Sequence, residues 1–285
     1  MLKKNVETFL GCDAEYTEAK IVLFGAPFDS TTSFRPGARF ASAAMRRESY
    51  GLELYSPYQD RELTDAPLFD SGDIELCFGD SARALDDIRV RAAHILADGK
   101  LPFLIGGEHL VTLGAVRAAA ERYPDLHILH FDAHADLRDD YLGAPLSHAC
   151  VLRRCHEIVG DGRIFQFGIR SGDKSEFEWG KGKVRTHLFD FAGLDEALCA
   201  LEGKPVYLTV DLDVLDPSVF PGTGTPEPGG VSFDALRRAL QACCERARIV
   251  GADVVELSPH YDASGASTAV ACKIVREMLI ALSKQ

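Results

Sequence analysis

Three short runs of this 285-residue chain place carboxylates and imidazoles at a spacing that suits metal chemistry. FDAHAD, residues 131–136, carries Asp132, His134 and Asp136 at alternate positions; VDLDVLDP, residues 210–217, carries Asp211 and Asp213 in the same way; GGEHL, residues 106–110, contributes His109. On an extended chain, side chains at i, i+2 and i+4 face one side. If the three runs meet, four carboxylates and two imidazoles converge. Burying such anions unpaired is costly, and otherwise they take up protons. No run of Lys or Arg at these positions could neutralise them. Divalent cations are the economical counter-charge. Six ligands exceed one tetrahedral site and suit two ions sharing bridging carboxylates. Oxygen-rich coordination with two imidazoles and no thiolate favours Mn²⁺ over structural Zn²⁺, so two Mn²⁺ per subunit are expected. Each motif alone has a bland explanation, since DxD pairs are common and a His after a strand is often a cap. The combination carries the inference.

Each run follows an apolar stretch: PFLI precedes GGEHL, HILH precedes FDAHAD, and VYLT precedes VDLD. Strands are expected over 21–28, 102–105, 127–131, 163–169, 205–210 and 249–256. Helices are expected over 84–97, 110–122, 147–158, 232–246 and 267–283, with Ser147 and Ser232 as N-caps. Alternating strands and helices predict an α/β fold with a parallel sheet covered on both faces. In such sheets ligands bind at the carboxyl ends of the strands, where all three motifs fall. No Gly/Ser-rich linker or repeat divides the chain, and the candidate chemistry spans residues 109 to 256. A single domain over 1–285 is the simplest expectation.

Apolar residues make up 46% of the chain, enough for a sizeable core. The net charge of −12 disfavours a nucleic-acid partner and fits either solubility or attraction of cationic ligands. Eight cysteines without a CxxC pair read as reduced thiols, and neither a signal peptide nor a membrane-length apolar run is evident. A cytoplasmic protein without a membrane partner is expected.

GGEHL, FDAHADL and DLDVLDP, together with DVVELSP at 253–259, resemble the ureohydrolase family of arginases and agmatinases. FGAPFDSTTSFRPGARFAS (24–42), LFDSGDIEL (68–76) and GTGTPEPGG (222–230) resemble its agmatinase branch. The similarity runs from about residue 20 onward, leaving 1–20 as an N-terminal extension. The resemblance implies a three-layer α/β/α sandwich with a mostly parallel, doubly wound sheet, assembled as a homo-oligomer (trimer or hexamer). It implies one Mn²⁺ held by His109, Asp132, Asp136 and Asp211, and another by His134, Asp132, Asp211 and Asp213, with Asp132 and Asp211 bridging. His148 matches the family's proton-shuttle histidine, Glu256 the carboxylate that pairs with guanidinium, and Thr225 a threonine near the substrate. Without the metal motifs, His148 would read as a helix-cap residue and Glu256 as a solvated strand end. Asp216 reads as a turn residue before Pro217.

The implied reaction is hydrolysis of a guanidinium with release of urea. That group is resonance-stabilised, with a pKa of about 13 or higher, so a strong nucleophile is needed at neutral pH. The loop LRDDYLGAPL, 137–146, offers Asp139 and Asp140, and Glu227 lies in TPEPGG. These acids would repel a carboxylate and welcome an ammonium. That favours agmatine, cleaved to putrescine in polyamine biosynthesis, over arginine. N1-aminopropylagmatine and guanidinobutyrate share the metal set, and only Arg138 and Arg170 could receive a carboxylate tail. An inactive relative should have lost a ligand, His148 or Glu256, and a deacetylase of related fold would need one metal.

Overall fold

The computed structural model describes residues 7–77 and 79–285. Its centre is an eight-stranded sheet, built from β1 (Ile21–Ala26), β4 (Leu68–Asp73), β5 (Leu101–Gly106), β6 (His127–Phe131), β7 (Ile164–Ile169), β8 (Val184–Leu188), β9 (Pro205–Asp211) and β10 (Arg248–Val255). The order across the sheet is β4-β1-β5-β10-β9-β6-β7-β8, and every pairing is parallel. A two-residue-per-strand hairpin, β2 (Tyr55–Ser56) with β3 (Arg61–Glu62), stands apart.

Two helical layers explain why the inner strands are continuous apolar runs: both faces are buried. One face is covered by α2 (Ser81–Ala97), α3 (Val111–Arg122) and α4 (Val151–Val159). The other is covered by α1 (Ala41–Ser49), α6 (Leu194–Ala200), α7 (Phe233–Arg246) and α8 (Ala266–Leu282). The short α5 (Lys174–Gly180) leads into β8. This is the expected three-layer arrangement. Residues 9–19, read above as part of an extension, bury Phe9, Cys12, Tyr16 and Ala19 in the two cores.

Several local expectations change. The helix expected over 147–158 is a 3₁₀ turn, His148–Cys150, followed by α4, and Ser147 makes no side-chain cap; its buried hydroxyl lacks a partner. Ser232 does cap α7, accepting from the Ala235 amide. β4 and β8 were not anticipated. β4 contains Asp70 and Asp73. Asp70 is fully buried, taking two bonds from Arg46 at 2.7 and 3.0 Å and one from the Phe9 amide at 2.9 Å.

The carboxyl ends of the four central strands, β5, β10, β9 and β6, lie side by side. Two of them depend on a close backbone approach at Gly107. A Cβ there would fall 1.8 Å from the Phe28 carbonyl oxygen. That carbonyl accepts from the Glu108 amide, and the Gly107 carbonyl accepts from the Glu256 amide. Glycine at 107 thus lets the loops carrying His109 and Glu256 stack together.

Candidate metal centre

β6 stops at Phe131, so the segment carrying Asp132, His134 and Asp136 is not an extended strand. Its convergence has another origin. Asp132 Oδ1 accepts from the amide of His134 at 2.6 Å, and Asp211 Oδ1 accepts from the amide of Asp213 at 2.8 Å. Both are Asx turns, in which a carboxylate holds the backbone two residues on. Asp136 then adopts a left-handed conformation, φ 53°, which Asp tolerates better than most residues. Its carbonyl accepts from the amides of Leu152 and Arg153, docking the loop onto the start of α4.

The Asx turns occupy one oxygen of each carboxylate and leave the other pointing inward. His109 Nδ1 lies 3.0 Å from Asp132 Oδ2, 3.2 Å from Asp136 Oδ2 and 3.3 Å from Asp211 Oδ2. Despite this proximity, His109 Nδ1 is buried without a hydrogen-bond partner. The four atoms crowd one region without pairing, as donors to a common cation would. His134 Nδ1 lies 3.0 Å from Asp213 Oδ2 and 3.5 Å from Asp132 Oδ1, forming a second group that shares Asp132. The structure therefore brings together all six residues singled out as ligands. This His/Asp cluster fits a binuclear metal centre.

Electrostatics agree. Burial pushes Asp211 well above the carboxylate range, with Asp213 and Asp132 adding to it. Burial also raises Asp136, reinforced by Asp132. Burial alone would lower His109, but the surrounding Asp132, Asp136 and Asp211 outweigh it and hold the imidazole well above its ordinary value. His134 is raised against its burial by Asp213 and Asp132. These groups share protons where they lack a cation.

His130 escaped the sequence reading. It is fully buried on β6 and sits two residues before Asp132. Gln166 Nε2 donates to the Ala135 carbonyl at 2.7 Å, which fixes the amide orientation, and also to His130 Nδ1 at 3.0 Å. The imidazole proton is thereby on Nε2, which donates to Asp132 Oδ2 at 2.8 Å. His130 orients a candidate ligand and does not present a lone pair to the centre. Its signal in the sequence was the i−2 position in HILHFD.

Glu256 directly follows β10, with a left-handed φ of 65°, and is buried. Its Oε1 accepts from the His109 amide at 2.7 Å. Burial, followed by the nearby Glu108 and Asp213, pushes its carboxyl well upward. Glu108 is itself raised to about 7 by burial, although Thr31 and Thr32 hydrogen-bond to it. His148 lies beside Glu256, Nδ1 to Oε1 3.9 Å. The Ser33 amide donates to His148 Nε2 at 3.2 Å, so a neutral imidazole keeps its proton on Nδ1, the Glu256 side. Burial, with His134 and His109 next, lowers His148 to about 4, so it is neutral at physiological pH.

A cavity of about 250 Å³ opens above these groups; its walls include Asp136, Asp211, His134, His148, Ser33 and Thr225. Thr225 Oγ1 donates to Asp213 Oδ2 at 3.3 Å. Asp139, Asp140 and Glu227 are not in the cavity wall. Asp139 is 72% exposed and pairs with Arg154 at 2.5 Å, and Asp140 caps the Gly143 amide. Besides Asp136 and Asp211, the acids that line the cavity are Asp173 and Glu176, beside Arg138, which pairs with Asp173. Arg170 is spent on backbone carbonyls of Asp213, Val214 and Glu227, so it is no receptor for a carboxylate tail. Asp216 accepts from the amides of Ser218, Gly229 and Gly230, stapling a turn.

Residues 19–281 match the arginase family. The chain is 46% identical over 278 residues to the agmatinase of Bacillus anthracis, covering 96% of each. It is 40% identical to the N(1)-aminopropylagmatine ureohydrolase of Thermococcus kodakarensis, over 86% of this chain and 84% of that one. Among solved structures, the agmatine ureohydrolase of Thermoplasma volcanium superposes with a TM-score of 0.89 at 36% identity, covering 98% of this chain and 95% of the other.

Proposed function

Because the chain belongs to the arginase family and is a hydrolase of guanidino substrates, we propose that it cleaves agmatine with water to give putrescine and urea. The observation that carries this reading is one cavity lined by His148 together with His134, Asp136 and Asp211 of the carboxylate–imidazole cluster, with the buried Glu256 carboxylate directly behind His148 at 3.9 Å. His109, Asp132, Asp136 and Asp211 would hold one ion; His134, Asp132, Asp211 and Asp213 would hold the other. The donor set, four carboxylates and two imidazoles without thiolate, suits Mn²⁺. Two such ions supply a nucleophile at neutral pH by lowering the pKa of water from about 16 toward 7.

The chain's own residues do the rest. Glu256 is a desolvated carboxylate whose charge a guanidinium would satisfy through two parallel bonds, holding the carbon in a fixed orientation. His148 is placed as a proton relay: as Nδ1 gives its proton to the departing amine, Nε2 would take one up through the Ser33 hydroxyl 3.0 Å away, so the ring stays neutral. Thr225 steadies Asp213 and stands within reach of the substrate. At the outer wall, Asp173 and Glu176 against the single Arg138 leave a net negative charge, which suits the distal ammonium. Asp139, Asp140 and Glu227 contribute at most to the field around the mouth. The 40% relative supports a longer polyamine, N1-aminopropylagmatine, as the second reading.

The same reading includes a cytoplasmic homo-oligomer, a trimer or hexamer.

A urea-release panel with Mn²⁺-loaded enzyme tests the proposal. Agmatine should give the highest kcat/KM, with arginine lower by roughly 10- to 100-fold. No urea from any guanidine, or arginine cleaved as well as agmatine, would overturn it.

A further inference from the structure

Behind His109, away from the cavity, lies a buried polar network that the proposed chemistry does not use. Thr209 on β9 and Asp253 on β10 are register partners, and both are fully buried. Thr209 Oγ1 stands 3.0 Å from His109 Nε2 and 2.6 Å from Asp253 Oδ1. Tyr207 OH donates to Asp253 Oδ2 at 2.8 Å, and Thr112 Oγ1 lies 3.3 Å from Thr209 Oγ1. The interior of a parallel sheet is an expensive place for four polar side chains unless each is satisfied.

The direction of these bonds can be worked out by counting protons. A hydroxyl has one proton to give. An ionised Asp253 can only accept, so the Thr209 proton goes to it and a Thr209 lone pair faces His109 Nε2. That ring nitrogen must then carry the imidazole proton. The other nitrogen, Nδ1, is left with its lone pair toward Asp132, Asp136 and Asp211, where it has no hydrogen-bond partner. The opposite polarity would put the proton on Nδ1 and make His109 useless as a ligand. Among the described residues His134 has no such hydroxyl–carboxylate brace, and its side chain is 24% exposed.

We propose that Thr209 and Asp253 form a relay that locks His109 in the ligand-competent tautomer and so sets the affinity of the ion held by His109, leaving the ion held by His134 less affected. The inference rests on the binuclear reading above. Thr209 and Asp253 are positioning residues: they touch neither substrate nor ion and act through the imidazole.

Thr209→Val removes the hydroxyl at nearly constant shape, on a β-branched strand position; Thr209→Ser keeps it. Mn²⁺ is titrated into metal-free protein by calorimetry, with bound metal counted by elemental analysis. Wild type and Thr209→Ser should bind two ions alike. Thr209→Val should weaken one of the two steps by about 10- to 100-fold, the usual cost of losing a ligand's outer partner. Thermal melting of the metal-free Thr209→Val protein should fall, because Asp253 loses a buried partner, so the deciding reading is the unequal loss between the two ions; equal weakening of both steps would mark a general structural defect and overturn the relay. Wild-type affinity for both ions in Thr209→Val overturns the relay, as does equal loss in Thr209→Ser. If Thr209→Val does not fold, Asp253→Leu carries the test: it removes the carboxylate that fixes the hydroxyl at similar volume, and unchanged affinity for both ions refutes the relay. A wild-type protein that binds no Mn²⁺ sinks instead the metal reading beneath it.

Discussion

Replacing Glu256 by Gln should move activity and stability in opposite directions. The side chain is buried, and its carboxyl is pushed upward first by burial and then by Glu108 and Asp213. The amide is nearly isosteric and its oxygen can still accept from the His109 amide, 2.7 Å away. What disappears is the negative charge. A unit pair 4 Å apart is worth about 4 kcal/mol at an effective dielectric near 20, and one charge-assisted hydrogen bond about 1.5–3 kcal/mol. A loss of roughly 2–4 kcal/mol corresponds to a fall of about 30- to 1000-fold in kcat/KM for agmatine. The free protein meanwhile sheds an uncompensated buried anion. A group whose folded pKa is raised contributes stability below its unfolded pKa and loses it as pH rises. The metal-free variant should therefore melt higher than metal-free wild type at pH 7 to 8, with the gain shrinking toward pH 4. Steady-state urea release, elemental analysis and melting curves provide the readings. Activity within threefold of wild type with two ions bound, or a lower melting temperature at pH 8, would refute the reasoning.

Two further outcomes follow from the site. Loading metal-free protein with Mn²⁺ at pH 7 should release protons, because His109, His134, Asp136 and Asp211 are all raised there; calorimetric enthalpies that do not vary with the ionisation enthalpy of the buffer would contradict this. His148→Asn should lower kcat by about 10²- to 10⁴-fold while metal content and KM stay near wild type, and a normal kcat would exclude a proton-transfer role.

The residues most legible in the sequence were those whose cost of burial is greatest. Asp132, His134, Asp136, Asp211, Asp213 and His109 follow apolar strands that must be interior, so their charges needed an explanation before any coordinates. Their geometry was less legible. Alternation along a strand predicted their convergence, whereas Asx turns at Asp132 and Asp211 produce it, because side-chain-to-backbone bonds end the strands there. β4 was hidden because Asp70 and Asp73 look solvated until Arg46 arrives from α1. β8 is an edge strand, mostly half-exposed, and α5 and α6 are seven residues each, too short to declare a period. Thr209 and His130 were missed because an uncharged Thr and a strand His carry no charge pattern; their roles exist only across strands. Asp139 and Asp140 illustrate the converse error, since an acidic loop near a site in sequence can turn its carboxylates outward to Arg154 and to a backbone amide.

The strand order has a consequence for how the protein is made. β10, the last strand to leave the ribosome, sits in the middle of the sheet, pairing with β9 on one side and β5 on the other. Until it is inserted, the sheet is two half-sheets, β4-β1-β5 and β9-β6-β7-β8, each with an interior edge of unpaired amides and carbonyls. The nascent chain thus carries His109 on one half and the aspartate motifs on the other, with nothing between them. Completing the site of the ion assigned to His109 therefore requires β10 in the gap between the two halves, whereas the ligands assigned to the other ion already share one half. A chain stalled before residue 248 would lack the first site and be prone to stick to its neighbours through those open edges.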